Sequence, residues 1–164
     1  FQVLVKAGFL PALKGHGKAQ EATLGWNDSG RFEDRWVYLK VEPGNRCAFT
    51  DGLEGILYMP VAHAEGKFIA PQEVIKSIEE NAQVVLRYVN PSGEFSGYPW
   101  NPNGSLGNIA GICDPTGRIF GLMPHPERHV DGFQHPRWTR EGLKEEGDGM
   151  GIFRNAVRYV RENL

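Results

Sequence analysis

The sequence predicts an α/β layered domain. Runs of β-branched and aromatic residues recur along the chain, two amphipathic helical patterns alternate with them, and 164 residues with 40% hydrophobic content suffice for one sizeable core. The chain opens with Val3, Leu4, Val5 and Ala7, then Gly8 and Leu10-Pro11, the pattern of a short helix stopped by glycine and proline. That helix has no N-cap of its own and starts at Phe rather than Met, so further chain is expected before it. Gly15 to Gly30 is polar and glycine-rich, and Trp36 to Val41 then gives a strand over 35 to 42.

Gly55 to His63 is a second strand candidate. Pro71 to Asn81 follows as a short helix, with Pro at its first position and Val74, Ile75 and Ile78 on one face. Val84 to Val89, Asn108 to Cys113 and Arg118 to Met123 read as three further strands, and Asp114-Pro-Thr-Gly117 joins the last two as a hairpin. Glu141 to Gly149 resembles a linker within the domain. From about Gly149 a packed surface helix is expected, with Ile152, Phe153, Ala156, Val157 and Val160 on one side. The whole chain forms one domain in this reading.

Charge and composition exclude several functions. Lys+Arg of 18 against Asp+Glu of 20 leaves a net charge of -2 without a basic block, which disfavours nucleic acid as a partner. The apolar runs fall well short of the roughly 20 residues that span a bilayer, and no signal-peptide layout opens the chain, so a soluble, cytoplasmic protein without membrane contact is expected. Two cysteines, Cys47 and Cys113, are too few for a secreted disulfide scaffold and read as buried thiols. The histidines at 125, 129 and 135 with Asp131 lack the spacing of a zinc motif, and only stoichiometric zinc would rescue a metal-hydrolase reading; no metal ligand is assigned. No phosphate-cradling glycine loop ending in Lys-Ser/Thr occurs, so no cofactor is assigned to this chain.

The segment richest in chemistry is Gly121-Leu-Met-Pro-His125-Pro-Glu127-Arg128. A histidine and a carboxylate two residues apart follow an apolar strand, and flanking prolines hold the chain extended so that both side chains project to one side. Such a carboxylate fixes the tautomer of the imidazole and leaves its other nitrogen as a base. In isolation a His-x-Glu pair is more often structural than catalytic.

Its surroundings carry a wider pattern. Tyr98-Pro-Trp-Asn-Pro-Asn-Gly-Ser105, Asn108-Ile-Ala-Gly-Ile112 and Gly117 through Arg128 closely resemble the C-terminal half of the glutaminase subunits of phosphoribosylformylglycinamidine synthase, which are class I glutamine amidotransferases. Asn27-Asp-Ser-Gly-Arg-Phe-Glu-Asp-Arg-Trp-Val37 and His63-Ala-Glu-Gly-Lys-Phe68 resemble further segments of the same family. The resemblance implies a flavodoxin-like, three-layer domain whose N-terminal strands and nucleophile elbow precede this sequence. It implies a Cys-His-Glu triad in which His125 and Glu127 are the second and third members.

The family's elbow reads Gly-x-Cys-Asn-Gly-x-Gln, and its closing Phe-Gln matches Phe1-Gln2. The nucleophile is therefore expected three residues before Phe1, with Gln2 at a position that touches bound glutamine. Cys113 is followed by Asp114-Pro115 rather than a small strand-to-helix turn, and Cys47 has no base beside it in sequence, so neither suits the role.

By the same resemblance a loop at His63, Gly66 and Phe68 offers backbone groups to glutamine; the plain alternative is a polar strand end with a solvated Glu65. The implied function is ammonia supply to a synthetase subunit that uses ATP and magnesium in purine biosynthesis, with room for a small accessory subunit. A non-catalytic partner of that synthetase is the alternative. Asn27 to Trp36 fits either a contact with the synthetase or plain loop structure.

Overall fold

A computed structural model describes residues 1–163. α1 (Gln2–Lys6) is followed by β1 (Thr23–Trp26), β2 (Glu33–Val41), β3 (Ile56–His63), β4 (Glu65–Ile69), α2 (Gln72–Glu80), β5 (Val84–Val89), β6 (Ile109–Cys113), β7 (Phe120–Leu122), α3 (Trp138–Glu141) and α4 (Met150–Asn163). Five strands form one sheet in the order β3-β2-β5-β6-β7, and β1 pairs with β4 in a second, two-stranded sheet. All of these pairings are antiparallel. The fold is mixed α/β.

The strongest sequence patterns form the centre of the sheet. Every residue of β5 is buried, which is why its pattern is largely apolar rather than alternating; Arg87 is buried there in ion pairs with Glu42 and Glu79. β5 lies between β2 and β6, where both faces are covered. One core cluster joins β2, β3, β5 and β6 to Ile152 of α4 and contains both cysteines. A second gathers Val5, Leu24, Phe68, Ile75, Ile78, Ile109 and Ile112, so it binds α1, β1, β4 and α2 to the sheet.

α1 ends where expected, with Gly8 in the left-handed region at φ 72° and its amide donating to the Val5 carbonyl. Pro71 stands one residue outside α2 as its N-cap, not at the first helical position.

Five further expectations need correction. The polar stretch before Gly30 contains β1, which is short and buries only Leu24, too little for a visible alternation. His63 to Phe68 is not a loop: β3 ends at His63, the chain turns at Ala64, and β4 follows with Gly66 and Phe68 buried. Glu141 to Gly149 is not a linker. Gly147 and Gly149 donate to the carbonyls of Val130 and His129, and a Cβ on either glycine would collide with the backbone of His129 or Pro126.

α4 is also turned differently from the expectation. Ile152 and Asn155 are buried, whereas Phe153, Val157 and Val160 are exposed. The Asn155 amide donates to the carbonyls of Phe49 and Asp51, and this polar anchor sets the helix rotation against the apolar pattern. β7 is shorter than the expected strand from Arg118 to Met123, because the Asp114 carboxylate accepts both the Arg118 and Ile119 amides at 2.9 Å and draws them into the turn.

Candidate functional site

His125 is fixed by backbone on both sides. Met123 extends the β6–β7 ladder by donating to Ala110, the His125 amide donates to the Pro60 carbonyl of β3 at 2.8 Å, and Arg128 donates back to the His125 carbonyl. Pro126 to Arg128 forms a 3₁₀ turn with His125 as its N-cap. The chain is therefore not extended through Glu127, because proline at the first position of a helical turn has its φ already set and has no amide to lose. The turn still brings the two side chains together, with His125 Nδ1 2.7 Å from Glu127 Oε1. Partial burial raises the Glu127 pKa, but the hydrogen bond from His125 and the nearby charges of His125 and Arg128 outweigh it and hold the carboxyl below its ordinary value. The ionised carboxylate occupies Nδ1 and leaves Nε2 as the free end of the ring.

Gln2, Phe68 and the strand that carries His125 meet around Phe1. The Phe1 ring lies over Gly121 of β7, where an added Cβ would fall 2.5 Å from it, and stacks on Phe68 with ring centroids 6.1 Å apart. Gln2 Nε2 donates to Glu65 Oε2 at 2.8 Å. Among the described residues no hydrogen bond joins Gln2 directly to His125 or Glu127; their connection runs through Phe1, Gly121 and β4.

His63 is 5% exposed, and its ring lies against Gly66 so closely that a Cβ there would stand 2.5 Å from Nδ1. It sits in a polar network that the sequence did not reveal. Nδ1 is 2.9 Å from Asn27 Oδ1, while the Asn27 amide group donates to the carbonyls of Arg31 and His63 at 2.8 Å each. Asn103 Nδ2 donates to the Gly66 carbonyl at 2.9 Å and to the Tyr88 hydroxyl at 3.2 Å. Ser105 Oγ donates to Asn103 Oδ1 at 2.7 Å and accepts the Phe68 amide at 2.9 Å. Asn27 and Asn103 stood in segments of known resemblance but no known role, and their burial depends on partners about 36 to 40 residues away.

Burial pushes the His63 pKa down to about 4 from 6.5; Glu33 on β2 pulls it upward and His125 adds a further lowering. Neutral His63 therefore stabilises the fold above pH 6.5, and that contribution is lost as the pH falls toward 4, because only the unfolded chain takes up the proton readily. The loss is on the order of 3 kcal/mol at most. Urea unfolding of the intact protein between pH 7 and 4 is expected to lose much of this acid dependence in His63→Gln. An identical pH slope in the variant would contradict the assignment.

Cys47 and Cys113 are 2% and 0% exposed in the core cluster of β2, β3, β5 and β6. Hydrogen bonding to Cys47 and burial push the Cys113 thiol well above the ordinary thiol value. The same contact with Cys113 shifts the Cys47 thiol downward, so enclosure in the core rather than protonation keeps reagents from Cys47. His129 and His135 lie within an aromatic group with Trp36 and Tyr58, and among the described residues no three His, Cys, Asp or Glu side chains are placed to hold a metal ion. No helix among those residues is long and apolar enough to cross a membrane.

Comparison with known proteins identifies the family of the chain. Residues 1–160 match the model of the CobB/CobQ-like glutamine amidotransferase domain. The chain is 54% identical over 163 residues to phosphoribosylformylglycinamidine synthase subunit PurQ of Dehalococcoides mccartyi, covering 99% of this chain and 61% of that relative. It is 47% identical over 170 residues to the subunit of the same name from Archaeoglobus fulgidus, covering 99% and 60%. A chain in the structure of PurLQS from Thermotoga maritima superimposes with a TM-score of 0.68 at 31% identity, covering 97% of this chain and 57% of that one. The chain thus spans about 60% of the length of the curated relatives it matches.

Proposed function

This chain belongs to the CobB/CobQ-like glutamine amidotransferase domain family, and on that premise we propose that the intact protein releases ammonia from glutamine for purine biosynthesis. The observation that carries the reading is the 2.7 Å contact between His125 Nδ1 and Glu127 Oε1, which leaves Nε2 free at the end of β7. The Phe1–Gln2 segment and the β3–β4 corner are joined to that strand by packing.

The reaction follows from these positions. A cysteine thiolate from chain preceding Phe1 attacks the side-chain amide carbon of glutamine, and the C–N bond breaks as His125 protonates the departing ammonia. Water, deprotonated by His125, then hydrolyses the glutamyl thioester and returns glutamate and the thiolate. Glu127 orients the ring and balances its charge while it carries the proton. Gln2 and the corner from His63 through Gly66 to Phe68 bind the amino-acid end of glutamine.

The ammonia goes to a separate synthetase subunit that makes formylglycinamidine ribonucleotide in the cytoplasm, with ATP and magnesium bound there and a small accessory subunit in the assembly. Relatives named as subunits of that synthase, and a structural neighbour from PurLQS, support this partner.

The test is glutamine-dependent release of ammonia and glutamate by the intact protein mixed with its synthetase. Stoichiometric glutamate and ammonia are expected. Failure to hydrolyse glutamine, with or without the synthetase and its substrates, would leave the non-catalytic partner as the better account.

A further inference from the structure

The geometry of the buried polar network around His63 fixes the tautomer of His63 and the orientation of Asn103. Both hydrogens of the Asn27 amide are used on the carbonyls of Arg31 and His63, so its Oδ1 can only accept, and His63 Nδ1 must be the donor. His63 is then the neutral tautomer with a bare Nε2, toward which the Asn103 amide points at 3.5 Å. The orientation of Asn103 is fixed in the same way, since its Oδ1 accepts the Ser105 amide at 3.0 Å and the Ser105 hydroxyl at 2.7 Å, which leaves Nδ2 for the Gly66 carbonyl.

Four backbone points of the β3–β4 corner are thereby tied from behind. The Asn27 side chain holds the His63 carbonyl while its backbone N–H donates to the Ala64 carbonyl at 2.9 Å, Asn103 holds the Gly66 carbonyl, and Ser105 holds the Phe68 amide. The His63 ring also packs against Gly66, in the space that a side chain at residue 66 would need. Asn27 is 3% exposed, Ser105 3% and Asn103 0%, so these side chains cannot themselves meet a ligand in solution. A satisfied network of this kind, far from water, holds one arrangement rigidly.

We propose that Asn27, Asn103 and Ser105 are positioning residues for glutamine, whose side chains set the His63–Phe68 corner in its binding geometry by clamping His63, Gly66 and Phe68. This rests on the reading of that corner as the glutamine site. A clamp acting on substrate binding, with no hydrogen bond of its own to His125, alters the affinity for glutamine and spares the chemical step. It also explains why the two asparagine-bearing segments, 27–37 and 98–105, accompany the corner without supplying a group to the reaction.

The experiment compares steady-state glutaminase kinetics of the intact protein with those of Asn103→Ala and Ser105→Ala, each checked by thermal unfolding. Each variant is expected to raise KM for glutamine about tenfold, the equivalent of one or two lost buried hydrogen bonds, with kcat within about threefold of wild type. Ser105→Ala removes a single hydroxyl and keeps the Asn103 bond to Gly66, so it carries the test if Asn103→Ala does not fold. A fall in kcat at unchanged KM, tracking the loss of folded protein, would overturn the clamp and reduce the network to a stability element. Wild-type protein without glutaminase activity would instead overturn the reading of the site on which the clamp depends.

Discussion

His125→Ala in the intact protein is expected to lower glutamine turnover by on the order of 10⁴-fold or more, because one imidazole serves both as the acid for departing ammonia and as the base for incoming water. Glu127→Gln is expected to cost less, on the order of 10² to 10³. The amide is nearly isosteric with the carboxylate, so the fold is retained, but it brings no charge to balance a protonated ring and can turn its NH₂ toward Nδ1, which selects the wrong tautomer. The Glu127 side chain is 58% exposed, and water replaces part of the lost stabilisation, which places the effect toward the lower end. Initial rates at saturating glutamine give both numbers. A Glu127→Gln enzyme running at full speed would remove Glu127 from the triad whatever the distance to His125.

The reactivity of cysteines separates the proposed nucleophile from the two thiols within residues 1–164. Cys47 and Cys113 are enclosed among Val37, Leu39, Leu86 and Ala110, and the Cys113 thiol is held in its protonated form. An electrophile reaches them only after the core opens, whereas a thiol paired with His125 is ionised more readily and is placed to meet glutamine. Selective labelling should therefore be close to all-or-none in the native protein.

How much of this was legible in the sequence depended on the range of the interactions. β5, α2 and the β6–β7 hairpin are set by local patterns, namely a largely apolar β-branched stretch, a one-sided helical face and an Asp-Pro-Thr-Gly turn, and each appears within a residue or two of its expected place apart from the shortened β7. The His125–Glu127 contact was legible for the same reason, being an i, i+2 pair, although a 3₁₀ turn rather than extended chain produces it. β1 and β4 exist because they pair with each other across some 40 residues, and neither carries enough apolar periodicity to stand out alone. The rotation of α4 is set by Asn155 reaching carbonyls more than 100 residues earlier, a signal that opposes the apolar stripe. Asn27, Asn103 and Ser105 have turn-forming character in sequence, and only their distant partners turn them into a buried clamp.

The most direct test of the central claim is to treat the intact, native protein with an electrophilic glutamine analogue and map the modified residue by mass spectrometry. One equivalent of label is expected on a cysteine three residues before Phe1, prevented by excess glutamine and strongly slowed in His125→Ala, with Cys47 and Cys113 unmodified. Label on Cys113 or Cys47, or glutamine hydrolysis that persists while no cysteine is labelled, would contradict the Cys-His-Glu account.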